Sequence, residues 1–201
     1  MNDALATAAL AVNHDPFAGP ALTAFAPITE SQREIWLACS LDPALNVGYN
    51  EGIELRLEGE LDVDILRCCL QILVDRHESL RMTISPDGAW LCVLEKLGLD
   101  VPLIEAGSDI EVAAAGRDAM RDPFDLRDGP LIRFVVVRRS PQLGFLMFVA
   151  HHIVCDGWST AVLLTELGEL YSQLAQGRET MLAEPPKYTA YAANERDFLD
   201  S

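Results

Sequence analysis

The feature that most constrains this sequence is an almost wholly apolar run at residues 143–150, LGFLMFVA, which is followed at once by two histidines. A strand that is covered on both faces loses the usual alternation of apolar and polar residues. The segment 131–139 is a second β-rich run, and leucines recur at helical spacing from residue 158 to residue 177. We therefore predict a mixed α/β domain in which a central strand passes into a helix at the histidines.

The remaining periodicity predicts further elements on both sides of this junction. Thr29 or Ser31 is placed to cap a first helix, and Asp62 to cap another. The predicted helices cover residues 29–40, 62–77, 109–121 and 187–199. The predicted strands are one at 53–57 and a hairpin at 80–84 and 90–94. Residues 1–26 are rich in alanine and show little periodicity, so we expect a leader or linker there and a folded domain over 27–201.

Composition excludes several classes of function. The chain carries 15 Lys and Arg against 31 Asp and Glu, a net charge of −16, and nucleic-acid binding requires clustered positive charge. No apolar run reaches the roughly 20 residues that a membrane-spanning helix needs. Five cysteines form an odd set without metal-type spacing. A secretory signal would require Lys or Arg near the N-terminus, but no Lys or Arg precedes Arg33. We expect a cytoplasmic protein that binds neither nucleic acid nor membrane.

The histidine pair and the aspartate that follows it are the best candidates for chemistry. Neighbouring side chains of an extended segment point to opposite faces, so only one of His151 and His152 is expected to act. Histidine suits proton transfer near neutral pH. Two alternatives remain open from the residues alone: a metal site that includes Asp156, and a strand end with satisfied histidines whose Asp156 caps a helix.

Residues 150–159, AHHIVCDGWS, resemble the HHxxxDGWS signature of condensation domains from nonribosomal peptide synthetases. Upstream, residues 29–36, TESQREIW, resemble the first motif of this family, and residues 76–83, RHESLRMT, resemble its RHExLRT motif. Residues 122–131, DPFDLRDGPL, are similar to its middle segment. Residues 188–195, YTAYAANE, match the later YxDFAxW motif more loosely. The resemblance covers about residues 27 to 199.

The resemblance implies a fold and a reaction. The fold is a chloramphenicol-acetyltransferase-like half, a mixed β-sheet flanked by helices, and family members combine two such halves. We therefore expect residues 27–201 to be the N-terminal, donor-side half, with the second half absent and with poor activity in isolation. The implied activity is that of an acyltransferase that forms an amide between a carrier-bound thioester and an acceptor amine. It needs no bound cofactor, because carrier domains present the substrates on phosphopantetheine arms. Carrier domains, the C-terminal half and an adjacent adenylation domain are the implied partners.

The resemblance also assigns roles to individual residues. His152 matches the active-site position, and Gly157 is expected to allow close approach of the substrate and to orient an oxygen through its amide. His151 is expected to pack. Asp156 is expected to form a structural ion pair with Arg81. No metal is implied at this site.

Other interpretations are kept as alternatives. Trp158 is predicted to belong to the core, since large apolar side chains at helical spacing usually pack. A nucleophilic role for Cys155 is disfavoured, because a thioester and an amine form an amide without a protein nucleophile. A catalytically silent recruitment module, an epimerisation domain or another acyltransferase would carry the same histidine motif.

Overall fold

The computed structural model describes residues 20–199 and 201, which form two β-sheets flanked by helices. The strands are β1 (Leu22–Pro27), β2 (Asn50–Glu58), β3 (Met82–Ile84), β4 (Trp90–Leu94), β5 (Leu103–Glu105), β6 (Ile132–Ser140) and β7 (Leu143–His151). The helices are α1 (Glu30–Leu41), α2 (Pro43–Gly48), α3 (Val63–Arg76), α4 (Asp109–Arg121), α5 (Gly157–Ala175) and α6 (Tyr188–Leu199), with a 3-10 turn at Glu78–Arg81. The predicted mixed α/β architecture is confirmed.

The larger sheet is built around β7, as its apolar sequence predicts. Its strand order is β2-β7-β6-β5; β7 is antiparallel to both neighbours, and β5 runs parallel to β6. Every residue of β7 after Leu143 is buried. Helix α4 packs on one face, and on the other Leu146 lines a groove together with Leu66 of α3 and Leu167 of α5. The two covered faces explain why β7 lacks alternation.

The smaller sheet corrects the predicted domain boundary. Its order is β1-β4-β3, and β1 pairs with β4 from Leu22 to Pro27. The predicted leader or linker at residues 1–26 therefore overlaps a strand that belongs to the fold. The segment escaped prediction because its alanines and proline give no alternating pattern, although Ala26 is buried. Residues 1–19, the remainder of the predicted leader, lie outside the described residues.

Two short elements were also missed. Helix α2 is only six residues long; Asp42 caps it by accepting from the backbone N–H of Ala44 at 2.9 Å. Strand β5 has three residues, too few for any periodicity, and gains its regular structure from β6. The predicted caps Thr29 and Asp62 are confirmed, and Thr29 forms a capping box with Gln32.

No helix in the described part of the chain combines the length and the apolar character that crossing a membrane requires.

The segment at residues 76–83 joins three helices. Arg76 Nε and His77 Nε2 lie 3.3 and 2.9 Å from the same carboxylate oxygen of Glu166 on α5. Glu78 accepts hydrogen bonds from the backbone N–H and the hydroxyl of Thr189, at the start of α6. All three side chains of the RHE sequence therefore hold neighbouring helices in place, and α5 is the helix that begins at the histidine motif.

Replacing Glu166 by alanine should lower the free energy of unfolding by about 2–3 kcal/mol, somewhat less than the loss of one partner costs in a fully buried ion pair. The matched control is Glu169→Ala, an exposed carboxylate one turn further along α5, for which we expect a change within about 0.5 kcal/mol. Urea denaturation of both variants measures the difference. Equal stability of the two variants would show that the network does not hold α5.

Candidate active site

The backbone of the turn between β7 and α5 is bonded to both neighbouring strands. The N–H of His151 donates to the carbonyl of Leu131, just before β6, at 2.9 Å. The N–H of His152 donates to the carbonyl of Tyr49, just before β2, at 2.8 Å. From α1, Gln32 Nε2 donates to the carbonyl of Ile153 at 2.8 Å. The turn is therefore fixed from three directions.

His151 points into the protein and is completely buried. Its Nδ1 accepts a hydrogen bond from the backbone N–H of Ile153 at 3.2 Å, and its Nε2 lies 3.9 Å from the thiol of Cys39. The rings of Tyr49 and Phe124 pack around it. Burial lowers the pKa of His151 to about 4, with a smaller contribution from the neighbouring His152. At neutral pH the ring is uncharged, with its proton on Nε2, and it is packed in the interior.

His152 faces the other side of the sheet and is only partly buried. Its Nδ1 lies 2.9 Å from Glu51 Oε1 on β2. The atoms lack the alignment of a hydrogen bond, and Nδ1 has no other partner among residues 20–199 and 201. A groove of about 460 Å³ lies beside the pair; Glu51, Gly52, Ile53, Phe148, Ala150, Cys155, Gly157 and Thr160 line it. Glu51 was missed from the sequence, because its position next to His152 depends on the register between two distant strands.

Asp156 is the N-cap of α5, so the predicted ion pair with Arg81 is wrong. The carboxylate accepts hydrogen bonds from the backbone N–H and the hydroxyl of Ser159 at 2.7 and 2.6 Å. These bonds hold the pKa of Asp156 below its ordinary value. The guanidinium of Arg81 donates instead to the carbonyl of Leu94 on β4. Asp156 caps the helix because α5 starts one residue after it, and Arg81 has a nearer acceptor in the hairpin, the carbonyl of Leu94.

Gly157 and Trp158 begin α5 and are both exposed. A β-carbon added to Gly157 would meet no atom within 4 Å, so nothing inside the described chain requires a glycine there. Trp158 is 81% exposed, and its predicted place in the core is wrong. At 100° per residue it lies on the side of α5 opposite Leu167, which faces the sheet.

Two alternative chemistries lose support from the geometry. Cys155 is buried, and burial raises the pKa of its thiol to about 11, so the thiolate needed for nucleophilic attack is scarce at neutral pH. The rings of His151 and His152 contact different elements and do not converge. Within residues 20–199 and 201, no group of three or more His, Cys, Asp or Glu side chains is arranged to hold a metal ion.

The family model described as Condensation domain matches residues 23–201. The chain belongs to the condensation-domain family. The start of the match falls inside β1, in agreement with the corrected boundary.

Two curated relatives that this chain matches are synthases. The chain is 38% identical over 184 residues to a linear gramicidin synthase of Brevibacillus parabrevis, across 87% of this chain and 2% of the relative. It is 37% identical over 168 residues to chondramide synthase cmdD of Chondromyces crocatus, across 80% of this chain and 4% of the relative. The chain thus spans a small part of each of these proteins.

The fold is also that of solved condensation domains. The starter condensation domain of rhizomide synthetase RzmA superposes with a TM-score of 0.80 at 21% sequence identity, over 89% of this chain and 45% of that chain. The predicted fold class, a chloramphenicol-acetyltransferase-like arrangement, is confirmed.

Asp156→Ala should cost about 1 kcal/mol of stability, the usual value of an N-cap, while Asp156→Asn should stay near wild type because asparagine also caps helices. A double-mutant cycle with Arg81→Ala should give a coupling energy near zero, because the two side chains bind different partners. Urea denaturation of wild type, Asp156→Ala, Arg81→Ala and the double variant measures this coupling energy. A coupling energy of about 1 kcal/mol or more would show that Asp156 and Arg81 form the predicted ion pair after all.

His151 alone should lower the free energy of unfolding by about 3 kcal/mol as the pH falls from about 6.5, the ordinary pKa of histidine, to about 4, the pKa of His151 in the folded domain. In this window the imidazole of the unfolded chain is protonated, whereas the buried ring of the folded domain is not. Unfolding therefore takes up one proton, and a lower pH favours the unfolded state. Above the window the contribution is constant. His151→Asn removes this proton, and urea denaturation across the pH range should show a shallower slope for the variant. Parallel pH profiles of the two proteins would contradict the buried, neutral His151.

Proposed function

We propose that this condensation domain is part of an acyltransferase that forms an amide bond between a carrier-bound acyl, aminoacyl or peptidyl thioester and an acceptor amine. The observation that carries the proposal is the partly exposed ring of His152 beside an open groove, on a turn that the surrounding strands hold rigidly. Because Nδ1 faces Glu51, the reactive nitrogen of His152 would be Nε2, on the far side of the ring.

The proposed reaction requires few protein groups beyond His152 and the N-terminus of α5. The amine nitrogen attacks the thioester carbonyl carbon, the nitrogen loses a proton, and the C–S bond breaks to release the carrier thiol. A thioester is already activated, so the site must position the amine and accept its proton, a role that suits His152. The N-terminus of α5, at Gly157, presents backbone N–H groups that favour negative charge on an oxygen nearby.

The partners in this proposal are carrier domains, a second half of similar fold and an adjacent adenylation domain. Support comes from the relatives, which are synthases many times longer than the region matched here. The substrates would arrive on phosphopantetheine arms, and no cofactor would be held by the domain itself. A cytoplasmic location belongs to the same proposal, since all five cysteines are free thiols, as in a reducing compartment.

In the full-length protein that contains this chain, His152→Ala should lower the rate of amide formation by about 100-fold or more, the contribution typical of a general base. The assay supplies donor and acceptor thioesters on their carrier domains and detects the amide by mass spectrometry. Urea denaturation establishes that the variant remains folded. The matched control is Glu54→Ala, which changes an exposed residue of β2 on the face opposite Glu51 and should retain the wild-type rate.

The other outcomes separate the alternatives. An unchanged rate in folded His152→Ala would remove His152 from the reaction. Carrier or partner binding without product from either protein would indicate a recruitment module. Inversion of a substrate α-carbon without amide formation would indicate an epimerisation domain, and transfer to a free small-molecule acceptor would indicate a different acyltransferase.

A further inference from the structure

We infer that Glu51 is a positioning residue for His152: its carboxylate accepts the Nδ1 proton of the imidazole and leaves Nε2 free to take a proton from the attacking amine. The inference rests on the proposed function for its effect on rate. Its structural core, a fixed tautomer of His152, is independent of what the domain acts upon.

The strand register brings the two side chains together. Glu51 of β2 lies directly opposite Ala150 of β7, in an antiparallel ladder that runs without interruption from Asn50 to Glu58. Directly opposed residues share a face of the sheet, and so do residues two apart along one strand. His152 is two residues beyond Ala150, so Glu51 is its diagonal neighbour. Asn50 and His151 share the other face.

The contacts leave Glu51 as the group that can serve Nδ1. The two atoms are 2.9 Å apart, and Nδ1 forms no hydrogen bond within the part of the chain that the structure describes. Reorientation of the carboxylate about its own side-chain bonds would align the pair. The neighbouring carboxylate, Asp156, already accepts two hydrogen bonds from Ser159 as a helix cap. Glu51 has no such competing role on its edge strand.

The two adjacent histidines should therefore hold opposite tautomers. His151 Nδ1 accepts from the N–H of Ile153, which places the proton of that ring on Nε2. Donation from His152 Nδ1 to Glu51 places the proton of the second ring on Nδ1. A neutral imidazole with its proton on Nδ1 offers a lone pair at Nε2, as a proton acceptor must.

The exposure of the pair indicates that it orients the ring and does not hold the fold together. The side chains of His152 and Glu51 are 37% and 48% exposed. Even a fully charged pair at such exposure contributes at most about 1 kcal/mol to stability. Substitutions at position 51 should therefore leave the domain folded, so that an effect on rate can be separated from an effect on folding.

The first test is the ¹⁵N NMR spectrum of the imidazoles in this chain, which contains four histidines. At about pH 8.5, two units above the ordinary histidine pKa, neutral rings reveal which nitrogen is protonated. The signals of His152 are those lost in His152→Ala. We expect the proton on Nδ1 in wild type, in Glu51→Gln, whose amide oxygen also accepts, and in Glu54→Ala. In Glu51→Ala the proton should move toward Nε2. A wild-type His152 with its proton on Nε2, or a tautomer that Glu51→Ala leaves unchanged, would overturn the inference.

The second test measures kcat and KM for amide formation by the full-length protein. Glu51→Ala should lower kcat by about 10- to 100-fold, the equivalent of one charge-assisted hydrogen bond, with KM unchanged. Glu51→Gln should recover most of this loss, because an amide oxygen accepts the same proton more weakly. Glu54→Ala, on the same strand but on the opposite face, controls for the loss of charge. An unchanged kcat in Glu51→Ala, or an effect on KM alone, would overturn the positioning role.

The two tests separate failure of the inference from failure of the proposed function. If wild type forms no amide, the proposed function fails, while the NMR spectra still decide whether Glu51 sets the tautomer. If wild type is active and Glu51→Ala matches it in both rate and spectrum, the function stands and the role of Glu51 falls.

Discussion

The antiparallel register between β2 and β7 is the constraint on which the rest of the site depends. A shift of one residue would exchange the two faces of β2, bringing Asn50 to the side of His152 and Glu51 to the side of His151. The buried side would then hold a carboxylate, and the groove side an amide. Nine consecutive pairs prevent that shift, and the apolar residues of both strands reinforce them by requiring one orientation. The packing of the apolar residues of both strands thus sets the positions of two polar pairs, Asn50 with His151 and Glu51 with His152.

The elements that could be predicted are those whose sequence carries its own pattern. Strand β7 has an unbroken apolar run, and Asp62 is followed by a regular helical face. What could not be predicted depends on partners far along the chain. Strand β1 is regular because β4 lies beside it, and Glu51 meets His152 only through the sheet. The pairing of Asp156 was misjudged for the opposite reason, since a resemblance pointed to a distant partner where the next turn of helix supplied one.

Several residues of the sequences that resemble family motifs connect separate elements of the fold by binding main-chain groups. Gln32 donates to the carbonyl of Ile153, and Glu78 accepts from the backbone N–H of Thr189. Side chains that bind main-chain groups depend little on the identity of the neighbouring residue. In this chain, such contacts hold the turn that carries His152 and the helices around it.

The short connection between β7 and α5 has a consequence for redesign. Residues 152–156 alone join the two elements, and the backbone at the histidines is bonded on both sides. A segment so short and so fully bonded has no freedom to act as a lid, so the backbone that carries His152 keeps one position. Under the proposed function, new substrate preferences are best sought by exchanging side chains in the groove wall, such as Ile53 and Thr160, with the turn itself left untouched.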